Sequence, residues 1–306
     1  MHIAVYLPLV LPVLAAISAR WAAARLEPRT ATWLLTASAL VLAAASGAAL
    51  MILAATLLGQ IPLLAFIGDW SATVVRRDDP VSASLAIAAC LLLTAALTAA
   101  VRAAARRARS LAGAASAARR LPRGRQLTVL DDPAPDAYAL PGLPGKIVVT
   151  AGMLDALDDR ERQVLLAHEH AHLAGAHCLF TALAQLAAAT NPLLRPLASA
   201  VRFSAERWAD EHAARITGDR RLVACTIAKA ALLTQGHTPA GALSIAAGSL
   251  RGTGPIPRRV AALLAAPPRQ HPLLLAALLT VLLLATGSAL EAARELHGLI
   301  ELAGGP

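Results

Sequence analysis

Hydrophobic and polar residues segregate along this chain into long apolar runs and one mixed central region. Residues 3–19 form an apolar run, Trp33 to about Leu58 a second, Ser82 to Val101 a third and Pro272 to about Leu290 a fourth. Each is of a length to cross about 30 Å of hydrocarbon as a helix. The second run continues to Phe66, but Gly59, Gln60 and Pro62 predict a break and a piece lying at the interface. The first run lacks the basic flank and cleavage site of a signal peptide. Between the third and fourth runs the pattern changes. Leu127–Leu130 and Lys146–Thr150 read as short strands, with a turn-rich stretch from Asp131 to Gly145 around Ala137-Tyr138-Ala139-Leu140. Ala151 begins a helix. Asp158 and Glu161 then have the spacing of a capping box, opening a helix that runs through Val164, Leu165 and Ala167 to His168. Gly236 to Gly254 is rich in small residues and reads as a linker or a loop over the cleft, and Arg258 to Leu264 as a short amphipathic helix.

Composition turns these runs into membrane spans. The chain is 57% hydrophobic and 15% charged, unlike an ordinary soluble enzyme. Arg20, Arg25 and Arg29 follow the first run, Arg102, Arg106, Arg107 and Arg109 follow the third, and Arg258, Arg259 and Arg269 precede the fourth. By the positive-inside rule both termini are outside and the region between the third and fourth runs is cytoplasmic. The expected organisation is three transmembrane helices in 1–104, a cytoplasmic domain in 105–271, and a last transmembrane helix with a short extracellular tail in 272–306. The net charge of +9 is explained by lipid headgroups and not by direct nucleic-acid binding, since 3% aromatic residues supply no stacking surface. Cys90, Cys178 and Cys225 sit in apolar contexts and predict core residues, with neither a disulfide framework nor a thiolate zinc site.

The chemistry is concentrated in His168-Glu169-His170-Ala171-His172. Histidines four apart share a helix face, so His168 and His172 can hold one zinc ion while Glu169 takes a proton from zinc-bound water. His170 points away on a helix. A third ligand is needed, and Glu206-Arg207-Trp208-Ala209-Asp210 offers Glu206 on a helix for which Ser204 is the candidate cap. Asp210, at i+4, would accept the free ring N–H of a ligand histidine. The rival third ligand of the metzincin pattern falls on Cys178, and no methionine follows the motif, so that reading fails. His177 then reads as a polar residue at a helix end. Thirty-three residues separate His172 from Glu206, too few for two spans of about 20 each. The apolar stretch Cys178 to Val201, broken at Asn191-Pro192, is therefore expected to be a helical hairpin that packs on the bilayer surface or dips into it. His212 and Tyr138 are the candidate oxyanion donors.

Ala137 to Gly142, Ile147 to Thr150, the HEHAH helix, Asn191-Pro192 and the Glu206/Asp210 helix together resemble integral-membrane gluzincins. Within that group the layout looks most like the BlaR/MecR-type antirepressor metallopeptidases. The resemblance implies a mainly α integral-membrane fold, with four transmembrane helices and a cytoplasmic zinc peptidase domain, helices plus a small β-sheet, between the third and fourth. It implies zinc as cofactor, with His168, His172 and Glu206 as ligands, Glu169 as general base and Asp210 behind them. The implied partner is a cytoplasmic protein substrate, typically a winged-helix transcriptional repressor. The large extracellular β-lactam-binding domain of the classical sensors has no counterpart in the roughly sixteen residues after the last run. Alternatives are a membrane quality-control protease of the heat-shock or prenyl-protease type, and a non-catalytic zinc-binding signalling or transport protein.

Overall fold

Apolar length decides the first three elements: α1 (Leu7–Arg25), α2 (Pro28–Gly59) and α3 (Ala83–Arg120). Within them Leu7–Arg25, Pro28–Ala55 and Ser84–Arg119 are long and apolar enough to cross a membrane. The structure, a computed structural model, describes residues 6–59, 83–120, 126–142, 145–235, 256–267 and 271–303. The interfacial piece expected after Gly59 and the segment 236–254 lie outside the described residues. All three helices outrun the apolar stretches that predicted them. α3 passes Val101 and continues through five arginines to Arg120, because its alanine-rich sequence favours helix in water as well as in lipid.

The central region is built on three short strands, β1 (Leu127–Leu130), β2 (Ala137–Leu140) and β3 (Lys146–Thr150), in the order β1-β3-β2. β1 pairs with β3 in parallel and β2 pairs with it antiparallel, Ala137 opposite Val149 and Tyr138 opposite Val148. Residues 137–140, which the sequence pattern places in a turn-rich stretch, form a strand. A four-residue strand among prolines has little local signal; its pairing with β3 creates it. One sheet face packs Ala137, Ile147 and Val149 against Met153 and Leu165, from α4 (Ala151–Ala156) and α5 (Asp159–Ala174). The other packs Tyr138, Leu140 and Val148 against Ala114 and Ala118 of α3. The extension of α3 beyond its apolar part is thus a wall of the small sheet.

α5 opens on the predicted capping box: Asp158 Oδ1 accepts from the Glu161 amide at 2.9 Å, and Glu161 Oε2 from the Asp158 amide at 3.0 Å. It is followed by α6 (His177–Thr190), bent 57° from it. Ala176 makes the bend with φ 49°, a left-handed conformation that costs an L residue about 1–2 kcal/mol. After the short turn Pro192–Leu194 comes α7 (Arg195–Thr217), which places Ser204 inside the helix and not at its cap. α8 (Arg220–Gln235), α9 (Ile256–Leu264) and α10 (Pro272–Ala303) complete the described chain. The apolar part of α10, Leu275–Glu291, is shorter than the three longer spans, and the helix continues through much of the tail expected after residue 290.

The α6–α7 hairpin is inserted among the apolar helices. Leu11 and Ala15 of α1, Leu35 and Leu42 of α2, Phe180 of α6 and Leu197 of α7 share one buried cluster. At the hairpin tip Asn191 Nδ2 donates to Ser46 Oγ at 3.2 Å, and that hydroxyl donates to the Pro8 carbonyl at 2.9 Å. At its other end Arg207 Nη1 donates to the Ala23 carbonyl at 2.7 Å. From Pro8 to Ala23 α1 rises about 22 Å at 1.5 Å per residue. The hairpin therefore runs alongside most of α1, and the polar amide of Asn191 is satisfied within the bundle.

Candidate metal centre

Two helices carry the centre. α5 presents His168 and His172 one turn apart on the side facing α7, and α7 presents Glu206. His168 Nε2 and His172 Nε2 stand 3.1 Å apart. Glu206 Oε2 lies 3.7 Å from the first and Oε1 3.7 Å from the second. Ligand atoms on one tetrahedral ion at about 2.0–2.1 Å are about 3.3 Å apart, so the three side chains fit a common metal. They are the one metal-competent group of this kind among the described residues. The adjacent Glu169 is 0% exposed, and neither of its carboxylate oxygens has a hydrogen-bond partner among the described residues. A buried carboxylate in that state is costly unless something charged comes to it.

The outer ring nitrogens are also held. His168 Nδ1 stands 3.1 Å from Asp210 Oδ1, and His172 Nδ1 stands 2.9 Å from His177 Nδ1. His177 is at a helix end, the first residue of α6, but it is buried: it is 2% exposed and also packs on the Trp208 ring, 4.6 Å between centroids. The Gly175–Ala176 bend swings it back over α5. A Cβ at Gly175 would meet His177 Nε2 at 2.4 Å, so only glycine admits the ring there. His170 is exposed and lies near His212, 6.2 Å between ring centroids.

Neither candidate oxyanion donor is one of the three converging donors. Tyr138 is buried on the sheet face packed against α3, opposite the face that meets α5. His212 is in contact with His170 and with Arg215 Nη2 at 3.5 Å.

Arg259 is a site residue that sequence reading missed. α9 delivers its guanidinium into the centre, where Nη1 is 2.9 Å from Glu206 Oε2. Nε and Nη2 donate to Asp210 Oδ2 and Oδ1 at 2.8 and 2.6 Å, a bidentate pair. The only signal was its place beside Arg258 in a short amphipathic pattern, and the positive-inside rule already accounted for both arginines.

These neighbours set the charge states. Burial alone would raise Asp210 and Glu206, but Arg259 overrides it and holds both carboxyls below their ordinary values. Burial alone would lower His168, yet Asp210 and Glu206 at its two ring nitrogens raise it to about 9. Burial dominates at His172, which falls to about 3, with the charges of His168, His177 and Arg259 adding to it. Glu169 rises to about 7 through burial, with a smaller push from Glu206 and Asp136 offset by His168. The centre thus combines two imidazoles and a carboxylate facing one point with a carboxyl beside them that titrates near neutrality.

Residues 100–194 match the sequence model of peptidase family M48, a family of zinc-dependent metallopeptidases. The match takes in the second half of α3, the sheet and the HEHAH helix, and stops before Glu206, Asp210 and Arg259. It supports a zinc metalloprotease function. No curated protein and no solved structure matches the chain.

Proposed function

We propose that this protein is a membrane-embedded zinc-dependent endopeptidase that cleaves a cytoplasmic protein, a winged-helix transcriptional repressor, in signal transduction. The observation that carries the chemistry is the convergence of His168, His172 and Glu206 on one point beside the unpartnered Glu169. His168, His172 and Glu206 would hold a zinc ion, which would supply Lewis acidity toward a scissile carbonyl and an attacking water. Glu169 accepts a proton from the attacking water and hands it to the leaving amide nitrogen, a task for which a carboxyl near 7 is well matched. Asp210 and His177 fix the ring orientations of His168 and His172. β2 is an edge strand of its sheet, and its Ala139 amide lies close enough to Glu169 to lower the carboxyl's pKa. That edge suits an extended peptide adding to the sheet by backbone pairing.

The membrane reading rests on the apolar helices and on the arginines at their ends. Four spans with residues 105–271 cytoplasmic and both termini outside is the assignment we favour. Under that assignment the contact of Arg207 with the last turn of α1 supports a position for Glu206, one residue away, near the cytoplasmic membrane surface.

The test is reconstitution in liposomes with winged-helix repressors from the source cell. A single cut in one repressor, abolished by a zinc chelator and restored by zinc, is the expected result. Indiscriminate cleavage of unfolded membrane proteins would instead support the quality-control reading. Absence of any cleavage by a zinc-loaded protein would favour a non-catalytic zinc-binding role.

Proton counting checks the metal centre independently. His168, raised to about 9 from its ordinary 6.5, is protonated in the metal-free protein at pH 7, and its bound proton stabilises that form. The sign follows from the upward shift: this stability is complete below about 6.5 and is lost as pH rises through about 9. Zinc must displace that proton, together with the fraction carried by Glu169 near 7. Calorimetric zinc titration at pH 7 in buffers of different ionisation enthalpy is expected to show one to two protons released per ion, fewer as pH approaches 9. Release of none at pH 7 would mean that the ion displaces no proton from His168 or Glu169.

A further inference from the structure

α9 is a short helix that reaches the middle of the centre. Of its nine residues only Arg259 and Leu263 are buried. Leu263 joins a cluster with Val164, Ala213, Val223 and Ile227. The C-terminal end of α9 is held by Arg220, the first residue of α8, which donates to the carbonyls of Leu263 and Ala262 at 2.9 Å each and pairs with Glu211 of α7. Arg220 touches none of the three metal-facing side chains; its role is to cap α9.

Charge explains why an arginine is buried here. Glu206 and Asp210 bring two negative charges and Arg259 one positive, and Glu169 adds to the excess when ionised, leaving a net negative centre for a divalent ion to balance. Without Arg259 the excess would grow by one, and Asp210 would lose the bidentate partner that fixes its carboxylate behind His168. Withdrawing α9 would leave Glu206 and Asp210 a buried pair of acids without their guanidinium partner.

We propose that Arg259 is a positioning residue of the metal centre and that α9, anchored by Arg220, is a latch whose docking sets how tightly the centre holds its ion. The proposal rests on the metallopeptidase reading. Linkage makes the coupling reciprocal: what loosens α9 weakens ion retention, and the bound ion tightens α9.

The experiment uses the full chain in detergent and two readouts, zinc release to a chelator and amide hydrogen exchange over residues 256–264. Arg259→Gln is expected to release zinc about 10–100-fold faster, the range seen when a group behind a metal ligand is lost. Arg259→Lys is expected to recover only part of this, because one ammonium cannot bridge Asp210 bidentately and reach Glu206 as well. Arg220→Ala, distant from the ligands, is expected to speed exchange across α9 and to raise zinc release several-fold. Zinc is expected to slow exchange of α9 in the wild type. Fast exchange of α9 in Arg220→Ala with unchanged zinc release overturns the latch, and wild-type zinc release in Arg259→Gln overturns the positioning role, both leaving the metallopeptidase reading standing. A folded wild type that binds no zinc overturns that reading and the proposal with it.

Discussion

Glu169→Gln is expected to lower peptide cleavage by about 10²–10⁴-fold, the usual contribution of a general base, while zinc content stays at one per chain. The substitution keeps the shape of the side chain and removes the group that accepts and returns the proton. Glu169 is not among the three converging donors, so the ion is retained. The loss should fall on kcat with KM little changed, because the proton transfer is made in the transition state and not in substrate binding. Folding is not at risk: the wild-type carboxyl is already buried without a hydrogen-bond partner among the described residues, and a neutral amide is cheaper to bury than a charge. Cleavage retained within a few-fold of wild type, with zinc bound, would remove Glu169 from the mechanism.

The second large effect is expected at Glu206. Glu206→Ala leaves two imidazoles facing the ion, and zinc retention should fall by more than the roughly 10–100-fold that removal of a group behind a ligand costs. Stability should respond in a way that separates a ligand from a merely structural acid. Arg259 keeps its bidentate partner Asp210, so the metal-free variant should unfold close to the metal-free wild type. The wild type, by contrast, gains about 2.7 kcal/mol at a zinc concentration one hundred times its Kd, and the variant should gain almost none at the same concentration. Thermal unfolding with and without zinc reads this directly. An undiminished zinc-dependent rise in Tm for Glu206→Ala would reopen the search for the third donor.

What was legible in the sequence is what depends on local spacing. The i,i+4 pairs His168/His172 and Glu206/Asp210, and the capping box at Asp158 and Glu161, each specify geometry within one or two helical turns, and the structure has all three. Span length likewise belongs to single helices, so the first three apolar runs became the three candidate spans. What escaped depends on contacts between elements. β2 exists through its register with β3 and has no run of its own. Arg259 reaches Asp210 from 49 residues further on, and no local pattern distinguishes it from its neighbour Arg258. His177 needed the bend at Gly175–Ala176, which a helix extrapolated through the motif does not contain. The glycine three residues after His172 was a usable signal for that bend.

One stretch of α7 shows how many directions a single helix serves. Glu206 faces the ligand histidines, Arg207 the end of α1, Trp208 the ring of His177, Asp210 the pair His168 and Arg259, and Glu211 the cap on α9. Successive residues on a helix point about 100° apart, so these assignments are fixed by rotational phase as much as by residue type. The segment is consequently indifferent to some substitutions but intolerant of any change in length upstream. One residue gained or lost between Arg195 and Ala205 would turn all five side chains to the wrong neighbour at once. The distance in residues from the hairpin tip to Glu206 is therefore as much a part of this centre as the glutamate itself.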